Sequence, residues 1–89
     1  MKNEELHAQL AKLHNELHQA RDLDLQQREL LQTLADEIQS LLKRDEIQRH
    51  HYTSLSERLN DAVAKLEASH PQITLLMRQT IDSLAYLGI

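Results

Sequence analysis

Leucines recur along the chain at alternating steps of four and three, and each run reads as one amphipathic helix. Leu6, Leu10, Leu13 and Leu17 form the narrow apolar seam of a first helix, which packs on one or two neighbours. Glu4 and Glu5 sit in its first turn, where acids favour the positive end of the helix dipole. The seam predicts a helix over 4–20, ending near Ala20 or Arg21 without a Gly or Pro to mark the stop. Asp24 followed by Gln27 has the spacing of a capping box, so a second helix is expected over 25–44. Its stripe is Leu30, Leu31, Leu34, Ile38, Leu41 and Leu42, with Ala35 at the edge. The connection is only a few residues long, so helices one and two are expected to form an antiparallel hairpin.

From Asp45 to Thr53 no apolar period is read, and a loop is expected there. Ser54 and Glu57 offer a second capping box, followed by Leu55, Leu59, Ala62, Val63 and Leu66, which predicts a third helix over 55–68. The last stretch places Ile73, Leu76, Met77, Thr80, Ile81, Leu84 and Leu87 on one face, a fourth helix over 71–87. Pro71 suits its first position, since proline fixes φ and lacks the N–H that would go unpaired there. Gly88, the only glycine, is expected as the left-handed residue that ends it. His70, just before Pro71, is expected to serve a structural role at the corner as N-cap, with Ser69 and Gln72 offering a competing capping box.

The expectation is an all-α fold, a small up-down bundle of four helices in one domain spanning 1–89. The fourth segment carries only Arg78 and Asp82 as full charges, which makes it the expected central helix. Opposite its main stripe runs a second line, Leu75, Gln79, Asp82 and Tyr86. Apolar residues on both faces suggest contact with a second chain, although a lone exposed Leu or Tyr is ordinary on a monomer.

Size sharpens that point. A chain of 89 residues buries only about 60–65% of its unfolded surface. A core with no Phe and no Trp also specifies its packing poorly, and oligomerisation is a common remedy. A homodimer is therefore expected, working as a protein-interaction or structural module with an unidentified protein partner. The net charge of −4 and pI near 5.8 provide no positive field for phosphates, so nucleic acid is not an expected partner. The amino terminus lacks an apolar signal core and aliphatic runs reach only three residues, as at Leu75 to Met77. With no cysteine there is no disulfide framework, and a soluble cytoplasmic protein without membrane contact or cofactor is expected.

Six histidines are the unusual feature of the composition. His14 and His18 are four apart on one helical face, and His7 lies one heptad earlier. That arrangement lets imidazoles share a divalent metal, the basis of an alternative metal-binding or pH-responsive role. The plainer alternative is that His14 packs beside the seam with one nitrogen reaching solvent. His50 and His51 fall in the expected loop, where solvated side chains are the simple reading. No nucleophile stands at a recognisable spacing from a base, and most arginines alternate with acids, as in Glu57, Arg58 and Asp61. Such alternation reads as solvated surface, so no catalytic residue and no enzymatic activity are expected.

Leu10, Leu13, His14, Glu16 and Leu17, then Arg28, Glu29, Leu30 and Leu31, and above all Glu67, His70 and Pro71 with Asp82, Leu84, Gly88 and Ile89 form a recognisable series. It resembles a family of short bacterial proteins catalogued as domain of unknown function 4404. The most specific part is E-x-x-H-P followed by D-x-L-x-x-x-G-I; Leu66 stands where the family pattern carries Phe. The resemblance implies a stand-alone bacterial helical protein and supplies no catalytic residue.

Overall fold

The computed structural model describes residues 2–44 and 49–86, and within them four helices and no strand. Helix α1 spans Lys2–Gln19, α2 Leu25–Lys43, α3 Arg49–Leu66 and α4 Pro71–Tyr86. Helices of 16 to 19 residues are about 24–29 Å long. The molecule measures 35 × 21 × 19 Å, one helix long and two helix diameters across, so the four lie side by side.

Polar contacts fix the direction of each. Gln27 at the start of α2 bonds Ser69 at the end of α3, and His70 before α4 bonds Arg21 after α1. These four segments share one end of the bundle, which gives the up-down-up-down course. The packing closes into a ring: α1 touches α2 and α4, and α3 touches the same two. Helix α4 is therefore one corner of a square, equivalent in its neighbours to the other three, and not the central helix that its low charge suggested. Low charge marks a helix whose outer face is also weakly polar, which is a different thing from enclosure.

Each predicted stripe turns inward, and the buried side chains form one cluster. Leu13, Leu34, Leu59 and Met77 are fully enclosed. Thr80 is buried among them. Its hydroxyl donates to the Leu76 carbonyl at 2.9 Å, and Gln9 Nε2 donates to it at 3.4 Å, so the hydroxyl enters the core already paired. On the same helix Thr74 is buried and Leu76 and Ile81 only partly so, a small rotation of the expected stripe. Leu87 and Gly88, the expected end of α4, lie outside the described residues.

The start of α3 differs from expectation. It begins at Arg49, so residues 49–53 are helical, while 45–48 lie outside the described residues. Tyr52 packs against the core, and Tyr52, Leu55, Leu59, Ala62 and Leu66 step by three and four, so one tyrosine adds a turn that the aliphatic pattern missed. Ser54 thereby falls inside α3 rather than at its cap, and the Ser54–Glu57 capping box is not formed. His50 and His51 stand on the first turn of the helix with ring centroids 4.1 Å apart, not in a loop.

Candidate functional site

The corner where both short connections meet is the most elaborately bonded part of the described chain. Asp24 caps α2: Gln27 N–H donates to Asp24 Oδ1 at 2.8 Å, and Asp24 N–H donates to Gln27 Oε1 at 3.1 Å. The other side of the same amide, Nε2, donates to Ser69 Oγ at 3.1 Å. Ser69 Oγ lies 2.9 Å from His70 Nδ1, and His70 Nε2 lies 2.9 Å from the Arg21 carbonyl. A carbonyl only accepts, so Nε2 carries the proton and, in the neutral ring, Nδ1 accepts from the serine hydroxyl.

One chain of bonds thus ties the loop between α1 and α2 to the loop between α3 and α4. Asp22 allows the first loop to turn, with φ at 58°, a left-handed conformation that Asp tolerates better than most non-glycine residues. Pro71 opens α4 as expected, and the His70 carbonyl accepts the first helical bond, from Thr74 N–H at 3.2 Å. The Glu67 carboxylate pairs with Arg78 across the same corner. Sequence spacing identified the cap and His70; it did not reveal that Gln27, Ser69 and Arg21 would meet there, because those contacts span up to 49 positions.

The histidines of α1 separate into a pair and an outlier. His14 and His18 face each other with Nε2 atoms 3.3 Å apart and rings at 71°, while His7 is exposed one heptad away. Among the described residues no three His, Cys, Asp or Glu side chains gather into a metal-holding group, so the His7, His14, His18 triad is not assembled. Partial burial holds the His14 pKa below its ordinary value; the neighbouring His18 adds to this, and Asp36 opposes it.

The four positions of the second line on α4 all point outward. Leu75 is 56% exposed and Tyr86 71%, and Gln79 and Asp82 between them are exposed too. Elsewhere a shallow groove of about 630 Å³ runs between α2 and α3, lined by Leu30, Thr33, Arg58 and Lys65 among others. Arg58 reaches across to Glu37 at 2.7 Å. Loss of hydration raises the Glu37 pKa, and the guanidinium only partly offsets it.

The Glu67, His70, Pro71 and Leu84 positions thus have structural explanations in this fold. Residues 6–89 match the domain of unknown function DUF4404. The chain belongs to the DUF4404 family. In this DUF4404 chain the E-x-x-H-P segment is the corner just described, and Leu84 of the carboxy-terminal motif is a core residue, 1% exposed. No curated protein and no solved structure matches the chain. Among the described residues no helix is long and apolar enough to cross a membrane.

Proposed function

We propose that this DUF4404 protein is a self-associating helical module, not a catalyst, and that its working surface is the outer line of α4. The observation that carries the reading is the symmetry of that line. Leu75, Gln79, Asp82 and Tyr86 step by four, three and four, the spacing of a coiled-coil seam, and cover about 16 Å of helix. A two-fold axis midway between Gln79 and Asp82 sets Leu75 against Tyr86 of a second copy. The same axis sets the Gln79 amide against the Asp82 carboxylate. Each copy thus offers a surface that complements itself in antiparallel register, as an isologous dimer requires.

Charge favours the same face. The chain as a whole carries −4, whereas α4 carries no net charge and Asp82 is the one charged residue on its outer line, so two copies meet here with little repulsion. A polar pair at the middle of an apolar seam fixes register at some loss of affinity. One helix against one helix is a small interface, so the dimer is expected to dissociate at about 10–100 µM.

Light scattering across that range tests the proposal. The wild-type mass is expected to rise from one chain toward two, and Leu75→Glu to stay at one chain with an unchanged melting curve. A wild-type mass of one chain up to about 500 µM, well above the expected dissociation range, contradicts it.

A further inference from the structure

Helix α1 carries a second feature, independent of the α4 face. Two nitrogens bound ~2.05 Å from a tetrahedral metal stand ~3.3 Å apart. His14 Nε2 and His18 Nε2 are 3.3 Å apart. We propose that His14 and His18 form a two-point chelate for a late first-row divalent cation, Cu²⁺, Ni²⁺ or Zn²⁺, the ions that imidazole suits.

The rings are held where such an ion needs them. The helix sets their four-residue spacing, and Leu13 and Leu17, both buried, anchor that face of α1 and fix its rotation. The two Nε2 atoms now share one proton, because one must donate where the other accepts. When a metal takes both Nε2 atoms, the donating ring moves its proton to Nδ1, so that two neutral Nδ1–H rings each offer a bare Nε2 lone pair. Asp36, on α2, is near enough for its negative charge to act on His14, and it favours a dication at the same place.

Among the described residues no third ligand completes the set, so the chelate supplies two positions and leaves the others to water or to an exogenous ligand. His7 is not part of it. That distinguishes this site from a three-histidine site read along the helix.

Calorimetric titration of the full chain with ZnCl₂, NiCl₂ and CuCl₂ is the test, and one ion per chain is expected, tightest for Cu²⁺. His14→Gln and His18→Gln are each expected to weaken binding about tenfold or more. His7→Gln and the double variant His50→Gln, His51→Gln are expected to titrate like wild type. All these side chains lie on the surface or at its edge, and an unchanged melting curve verifies that each variant folds. Nitrogen NMR of the wild type adds a site-specific readout: the His14 and His18 Nε2 resonances shift with Zn²⁺, and those of His70 do not. No heat at about 100 µM metal, or a loss on His7→Gln equal to that on His18→Gln, overturns the proposal.

Discussion

Leu84 and Leu75 are nine residues apart on one helix, and the fold assigns them opposite environments. Leu84 is 1% exposed and belongs to the core cluster, whereas Leu75 is 56% exposed. Truncating a buried leucine removes its transfer free energy and leaves a cavity that the neighbours only partly fill, a loss of about 2–5 kcal/mol. A domain of this size has a total stability of roughly 4–13 kcal/mol, so Leu84→Ala removes a large fraction of it. At about 4–8 °C per kcal/mol, the melting temperature is expected to fall by about 8–40 °C. Leu84→Met keeps the volume and is expected to lose less than about 1.5 kcal/mol. Leu75→Ala, measured at low micromolar concentration where a weak dimer is dissociated, is expected within about 0.5 kcal/mol of wild type. Urea titration followed by circular dichroism at 222 nm gives the same comparison at constant temperature, with midpoint shifts and an unchanged slope. If Leu84→Ala melts within a few degrees of wild type, or Leu75→Ala falls as far, the two faces of α4 are wrongly assigned.

The corner network predicts that His70→Ala destabilises by about 1 kcal/mol, since it removes two hydrogen bonds at an exposed corner where water can replace them; a melting curve equal to wild type refutes that role. Asp22→Gly relieves the left-handed backbone and is expected to raise stability by about 0.5–1 kcal/mol, while Asp22→Val lowers it by about 1–2; equal effects from both would show that φ is not the constraint. For His14 the sign follows from its lowered pKa: the unfolded chain takes up a proton at this ring before the folded chain does. Stability therefore falls as pH drops below 6.5 toward the lowered value, and is unaffected by this group above that range. His14→Gln is expected to flatten the slope of stability against pH in that window, and an unchanged slope contradicts the assignment. Glu37 has the opposite sign: its raised pKa means that stability declines as pH rises from 4.5 through the higher folded value, a decline that Glu37→Gln removes.

Much of the bundle was legible because helix periodicity is a local signal. The seam of Leu6 to Leu17, the Asp24–Gln27 capping box and Pro71 at the first position of α4 each depend on residues within a few positions of one another. The start of α3 was misread for a related reason: a single Tyr52 per turn does not announce a stripe, and Ser54 with Glu57 imitated a cap. What local spacing does not contain is the arrangement of helices around the ring. The neutral charge of α4 suggested a central place, but packing distributes the four helices equally, and the outer line of α4 remains on the surface. The corner network is likewise a product of topology. Gln27 satisfies its own cap locally, and only the antiparallel course brings Ser69, 42 positions away, to its other amide group. For the histidines, spacing placed three on one helix; geometry joins His14 to His18 and leaves His7 apart.

Crosslinking tests most directly whether α4 presents its outer line to a second copy in antiparallel register. The chain has no cysteine, so Leu75→Cys and Tyr86→Cys variants each carry a single reactive thiol. Under mild oxidation at about 100 µM, where the weak dimer is populated, an equal mixture of the two is expected to yield a disulfide-linked dimer joining one variant to the other. Each variant alone is expected to stay largely monomeric, because antiparallel register holds like positions about 16 Å apart. Crosslinking of Leu75→Cys to itself in preference to Tyr86→Cys, or no crosslinking in the mixture, would contradict the account.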